Sequence, residues 1–292
     1  MRMCAYFQYS RSAYYKSLKQ DVSHCYSESI ILEMVQRERR LQPRLGGRKL
    51  YFLLSDSIHE IDPNFGRDKF FDLLRKYKLL VEPRRNYCKT TNSWHHFHKY
   101  GNEIKDSFTT RSNQVWAADI TYLRTENKFV YLSLLTDMYS RKIVGWHLSD
   151  NLSIEGSVCA LKRALKQNLL TDKLIHHSDR GVQYCSKEYV KILKNNNITI
   201  SMTEENHCYE NAMAERVNGI LKDEYLLDRK FKDFVHAEKS CSEAVMLYNT
   251  RRPHLSLNYK TPEQVHCNCN TIKEQKMTFI SKTINNNSVN FF

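Results

Sequence analysis

The feature that most limits the fold is a close succession of β-forming segments between residues 115 and 148. Ala118-Asp119-Ile120-Thr121-Tyr122-Leu123 reads as a strand, Phe129 to Leu135 is a nearly continuous apolar run, and Lys142 to Leu148 is a third strand. The turn signals between them are short, so the three are expected to form an antiparallel meander. After them the period changes. Ser153 caps a helix on which Ile154, Val158, Leu161 and Leu165 share a face. Leu174-Ile175-His176-His177 is a fourth strand, Ser186 to Lys194 a helix, and Ile198 to Met202 a fifth strand, with further helices at about 210–227 and 234–249.

Three antiparallel strands followed by alternating helices and strands is the order of an RNase H-like α/β fold, a mixed five-stranded sheet with flanking helices, expected over residues 114–269. Residues 1–81 read differently. A helix over 27–41 carries Ile30, Ile31, Met34 and Val35 at helical spacing, with Arg37, Arg39 and Arg40 in its last turn. After a turn at Leu45-Gly46-Gly47-Arg48, helices are expected from Arg48 to about Ser55 and from Asp68 to Leu79. Three short helices with basic turns suggest a small all-α, helix-turn-helix-like DNA-binding region; a helical bundle with a solvated basic surface fits the same spacing. Residues 82–113, with Arg84, Arg85 and Lys89, form a basic linker suited to lie along a phosphate backbone, and residues 270–292 a polar tail.

Charge names the class of partner. The 292 residues carry 45 Lys and Arg against 32 Asp and Glu, a formal +13. Residues 1–112 hold 21 basic and 12 acidic side chains, so +9 of that excess lies in the first third. Such a chain attracts polyanions, nucleic acid first. A hydrophobic content of 41% excludes a disordered chain. No stretch approaches a membrane span, and the first ten residues turn polar too early for a signal peptide, so a cytoplasmic location is expected. Nine scattered cysteines then read as free thiols. Two Cys/His groups, Cys88 with His95, His96 and His98, and His266 with Cys267 and Cys269, lack the spacing of a zinc site. There is no Gly-rich phosphate loop.

Three acids stand where strands and helices bring residues together. Asp119 lies between apolar Ala118 and Ile120 on the first strand. Asp179 follows the fourth strand in His177-Ser178-Asp179-Arg180-Gly181, and Glu215 lies on a helix. A carboxylate on a buried strand costs free energy unless paired or metal-bound. On the helix, Asn211, Glu215, Asn218 and Lys222 stack in one polar stripe, while Met213, Ala214, Val217, Ile220 and Leu221 supply the apolar remainder. An ordinary amphipathic helix with a salt-bridging glutamate has the same pattern.

The spacing is more specific than any one acid. Thirty-five residues separate Asp179 from Glu215. Asp119, Asp179 and Glu215 thus resemble the Asp, Asp, thirty-five, Glu pattern of retroviral integrases and bacterial transposases. The surrounding text resembles the second-frame product (OrfB) of insertion-sequence-three family transposases. The matching segments are Asn113 to Tyr122, Asp137-Met138-Tyr139-Ser140-Arg141-Lys142-Ile143-Val144-Gly145-Trp146, His177 to Tyr184, Tyr209 to Arg216, and Tyr248-Asn249-Thr250-Arg251-Arg252-Pro253-His254. Two departures stand outside the acids: Glu210 where the family has Asp, and Tyr100-Gly101-Asn102 where it has Tyr-Pro-Asn.

The resemblance implies a transposase that cuts and joins DNA with Mg²⁺ or Mn²⁺, two ions in all, without ATP or a covalent protein–DNA link. Asp119 is expected to serve both metals, with Asp179 and Glu215 each completing one site. Supporting roles are expected for His177 and Asn211, and phosphate contacts for Arg48, Arg84, Arg85, Lys222, Arg251 and Arg252. Asp137 is expected to be structural, pairing with Arg141, and Trp116 and Trp146 to be core residues. The implied partners are element-end and target double-stranded DNA, further copies of the chain, and the upstream-frame product (OrfA), separate or fused; the implied location is a bacterial cytoplasm, at the nucleoid. The competing reading is a non-catalytic DNA-binding accessory or regulatory protein of the same element. The intact acid triad favours the enzyme.

Overall fold

The computed structural model describes residues 6, 10–82, 97–104, 109–167, 173–204 and 212–267. The chain divides into two compact units, residues 1–83 and 84–292.

The first unit is helical. Helix α1 (Arg11–Leu41) is capped by Ser10, whose hydroxyl accepts the Ala13 N–H at 3.1 Å. Helices α2 (Gly47–Ile61) and α3 (Arg67–Lys76) follow. Their apolar sides meet α1 in a core of Ile31, Val35, Leu45, Leu50, Ile58, Phe65, Phe70, Leu73 and Leu74. Two buried or half-buried polar contacts fasten the corners: Gln42 Nε2 donates to Glu38 at 2.8 Å, and the Arg39 guanidinium donates to the Pro43 and Leu79 carbonyls. Helix α1 begins sixteen residues before the expected start at 27. No Gly or Pro interrupts residues 11–41, so the helix continues, yet Tyr14, Tyr15 and Tyr26 along its first half are exposed. Among the described side chains of this stretch, residues 11–19, 25 and 26 are exposed, so they carry no core-facing signal.

The second unit is built on a mixed sheet. Strands β1 (Val115–Thr125), β2 (Phe129–Asp137) and β3 (Ile143–Ser149) form the expected antiparallel meander. Helix α4 (Ile154–Gln167) leads to β4 (Ile175–Ser178). Short α5 (Val182–Cys185) and α6 (Lys187–Asn195) lead to β5 (Thr199–Met202). The spatial order is β3-β2-β1-β4-β5, with β4 parallel to β1 and β5 parallel to β4. This is the RNase H-like arrangement. A sixth strand, β6 (Lys230–Phe231), adds to the expected five by pairing in parallel with Arg124 and Thr125 of β1. Two residues are too few to show a strand period.

Each face of the sheet is covered. Trp116, Ala118, Leu135 and Val144 pack against α4, α5 and α6 on one side. Leu123, Val130, Leu132, Leu134 and Leu148 pack on the other side against α7 (Ala212–Glu224) and α8 (Phe234–Thr250). Gly145 marks a close approach of α4 to β3: a Cβ there would lie 2.5 Å from the Ala160 carbonyl oxygen and 2.7 Å from the Ala164 Cβ. A short helix at residues 262–267 ends the described chain.

The segment expected as linker is divided. Arg84 and Arg85 lie outside the described residues, as does the polar tail. The part nearer the core is held to it, with the Gly101 carbonyl accepting from Met202 N–H at 3.0 Å and the Ser201 hydroxyl accepting from Glu103 N–H at 2.9 Å. No helix among the described residues is long and apolar enough to cross a membrane.

Candidate active site

Strand register explains why two of the three acids are neighbours. β1 and β4 run parallel, and their last registered pair is Ala118 with Ser178. The next residue on each is an acid, Asp119 and Asp179. Alternation along β1 sends Trp116 and Ala118 to the α4 side and turns Asp119 toward the α7 side. Helix α7 meets it there: Asn218 Nδ2 donates to Asp119 Oδ2 at 2.7 Å. Asp119 Oδ1 accepts the N–H of Ile120 at 2.9 Å. Asp179 is held where the chain turns into α5, its Oδ1 accepting the Gly181 N–H at 3.0 Å. A Cβ at residue 181 would stand 2.9 Å from that same oxygen and would press on the Asp179 carboxylate. Glu215 lies in the first turn of α7 and is exposed.

The electrostatics tie the three together. Burial, the first cause, and the charge of Asp179, the second, push the Asp119 carboxyl up to about 7. The Asn218 and Ile120 N–H groups pull the other way, and Glu215 adds a smaller upward push. Burial also raises the Tyr184 hydroxyl well above its ordinary range, with contributions from Tyr189, Asp119 and Asp179. The acids therefore share one field. They are not drawn together to ligand distance: among the described residues no three His, Cys, Asp or Glu side chains converge closely enough to hold a metal ion.

The other expected site residues separate into three groups. Lys222, two turns beyond Glu215 on α7, places its ammonium 4.4 Å from the centre of the Tyr122 ring, on the same stretch of β1 as Asp119. Arg48 is exposed in the first turn of α2, and Arg251 is exposed at the end of α8. Asn211 precedes α7 and lies outside the described residues.

One expectation is corrected. Arg252 does not face solvent: its side chain is 4% exposed and makes a bidentate pair with Glu224, both N···O distances being 2.7 Å. A guanidinium spent in this way clamps the end of α7 to the segment after α8 and is not available to a phosphate. His177 is fully buried, its Nδ1 2.9 Å from the Ser201 hydroxyl of β5. It ties two strands together behind Asp179 and cannot touch DNA.

Asp137 is structural as expected, with different partners. Its carboxylate accepts from Asn113 N–H at 2.6 Å and from the Ser140 N–H and hydroxyl at 2.7 Å each. His266 Nδ1 lies 2.9 Å from the Ser140 hydroxyl, joining the 262–267 helix to this turn. Arg141 meets Asp137 through its backbone N–H. Cys267 Sγ donates to Glu263; Cys88, His95, His96 and Cys269 lie outside the described residues. Trp116 is fully buried and donates to Asn113 Oδ1 at 3.0 Å, and Trp146 is packed at the edge of the second core. Asn218 is the site residue that sequence reasoning left unassigned. Its signal was present, a polar side chain three residues after Glu215 on the same stripe.

Two family models described as integrase core domain match the chain, over residues 109–208 and 196–262. Asp119 and Asp179 fall in the first and Glu215 in the second. The insertion element IS600 uncharacterized 31 kDa protein of Shigella sonnei is 32% identical over 264 residues, covering 89% of this chain and 96% of that one. The chain belongs to the IS3-family transposases. Transposase InsF for insertion sequence IS3A of Escherichia coli K12 is 28% identical over 282 residues, 90% of this chain and 92% of that protein. Among solved structures, the catalytic core domain of HTLV-2 integrase in complex with magnesium is 21% identical with a TM-score of 0.43, covering 53% of this chain and 97% of that one. The simian T-cell lymphotropic virus intasome in complex with a PP2A regulatory subunit is 18% identical with a TM-score of 0.48, covering 76% and 74%. This IS3-family transposase carries the integrase core as its second unit.

Proposed function

We propose that the acid cluster of this transposase binds divalent cations, Mg²⁺ or Mn²⁺, and uses them to cut element-end DNA and join it to a target strand. The observation that carries this reading is the field at Asp119, a half-buried carboxylate whose neighbours are two more carboxylates and which ordinary solvation does not relieve. Carboxylate oxygens are the donors that hard cations prefer. Asp119, Asp179 and Glu215 would hold two such ions, with Asp119 common to both. When bound, a cation pair supplies positive charge at the phosphodiester and eases proton loss from the attacking hydroxyl.

The protein's own groups do the rest. Asp119 and Asp179 fix one side of the cluster from the sheet, where strand pairing leaves them little freedom. Glu215 approaches from the exposed first turn of α7 and is the acid with room to adjust. Lys222 offers its ammonium to a phosphate on the same helix. Arg48, Arg251 and the basic residues around Arg84 and Arg85 supply sequence-independent attraction to the DNA backbone. The bound substrates are element ends and target duplex, engaged by an oligomer of the chain, with the upstream-frame product (OrfA) as partner or fused segment.

The experiment is a cleavage and joining assay with labelled element ends and Mg²⁺. Wild-type protein is expected to nick and join, and Glu215→Gln to bind DNA without doing either. Cleavage that persists in Glu215→Gln, or binding without cleavage by the wild type, overturns the proposal.

A further inference from the structure

We propose that Asn218 is a positioning residue for the acid cluster: it orients the Asp119 carboxylate for its cation and presents its own carbonyl oxygen as a further acceptor in the same place. The inference rests on the metal-dependent reading above and assigns a role to a side chain outside the acid triad.

The position is unusual for an asparagine. It sits inside helix α7, where asparagine is a poor helix former and where its amide could compete for backbone hydrogen bonds. It is 5% exposed, while Glu215, Arg216 and Gly219 around it are exposed. A buried amide must find partners or lose free energy. Asn218 finds one for Nδ2, the Asp119 Oδ2 at 2.7 Å. Its Oδ1 is buried and has no hydrogen-bond partner among the described residues.

This half-satisfied state is informative. Here the donor end is committed to the acid and the acceptor end is open. With the Ile120 N–H on Oδ1, each oxygen of Asp119 holds one donor. That fixes the plane of the carboxylate and still leaves each oxygen a lone pair for a cation. The open Oδ1 of Asn218 is an acceptor suited to the water that Mg²⁺ tends to retain. Three residues away, Glu215 lies on the same face of α7, so one helix turn delivers an acid and the group that orients another.

The test measures Mn²⁺ binding by the full chain without DNA, by electron paramagnetic resonance of the free ion, alongside thermal unfolding in EDTA. Asn218→Leu keeps the volume and removes both polar ends. It is expected to fold and to bind Mn²⁺ about 10- to 100-fold more weakly, the usual loss when a group that orients a metal ligand is removed. Asn218→Gln, which restores an amide, is expected to recover part of that loss. Should Asn218→Leu not fold, Asn218→Ser takes its place with the same expectation. Wild-type Mn²⁺ affinity in a folded Leu or Ser variant overturns the inference and leaves the metal reading intact. Failure of the wild type to bind Mn²⁺ overturns both.

Discussion

Asp119 and Asp179 are the residues immediately beyond Ala118 and Ser178, the last registered pair of the parallel β1–β4 ladder. Two acids are thereby placed side by side by backbone register, sixty residues apart in the chain, before any side chain chooses a rotamer. The cost of that placement falls on Asp119, and several measurements follow from it.

Without a bound cation, burial and the charge of Asp179 push the Asp119 carboxyl up to about 7, above the ordinary 3.8 of an aspartate. Between those two values the folded state holds a proton that the unfolded state has lost. Stability is therefore highest below about pH 4 as far as this group is concerned, and falls as the pH rises to about 7. Asp119→Asn removes that slope and is expected to stabilise the protein at neutral pH by an amount on the order of a few kcal/mol. Urea unfolding in EDTA across this pH range checks it; an unchanged slope in the variant contradicts it.

Divalent cation should reverse the same penalty. Mn²⁺ at about 100 times its Kd is expected to add about 2.7 kcal/mol to the stability of the wild type. Asp119→Asn should gain little. Thermal unfolding with and without the ion, in both proteins, reads the difference.

Arg252 offers a prediction that separates a structural cation from a DNA contact. Its pair with Glu224 is buried on the arginine side and half-buried on the glutamate side, at 4% and 15% side-chain exposure. Arg252→Ala removes the bidentate pair from half-buried Glu224 and is expected to cost about 2–4 kcal/mol. Arg252→Lys should recover only part of this, since an ammonium cannot reproduce the bidentate fork. Replacing both partners, Arg252→Met with Glu224→Leu, is expected to restore most of the stability. Denaturant unfolding measures all three.

Arg48 is the opposite case, an exposed guanidinium in a helical unit with no buried partner to lose. Arg48→Ala is expected to leave stability within about 0.5 kcal/mol. It should weaken DNA binding across sequences and reduce the slope of log affinity against log salt by about one. A salt titration of binding decides the point.

How far these features could be read in advance depended on what each one needs. The meander from β1 to β3 was legible because apolar runs and short turns are local properties. The positions of Asp119, Asp179 and Glu215 were legible through their spacing and neighbouring motifs. The first half of α1 was not, because its described side chains at residues 11–19, 25 and 26 are exposed and leave no core-facing pattern. Arg252 looked like its neighbour Arg251 in the sequence, yet one is buried against Glu224 and the other is exposed. Burial of a charge is decided by a partner 28 residues away, which no local pattern records. Asp137 was assigned its role correctly and its partner wrongly for the same reason: Asn113, Ser140 and His266 meet only in the folded chain.

On the proposed reading, three carboxylates on a strand, a strand end and a helix close around divalent cations. A crystal structure of the full chain grown with Mn²⁺, with anomalous data collected at the manganese edge, tests it most directly. Anomalous density is expected among Asp119, Asp179 and Glu215, with Asp119 bound to every ion present and Asn218 still donating to it. Anomalous density elsewhere, or acids that stay apart with saturating Mn²⁺, would contradict it.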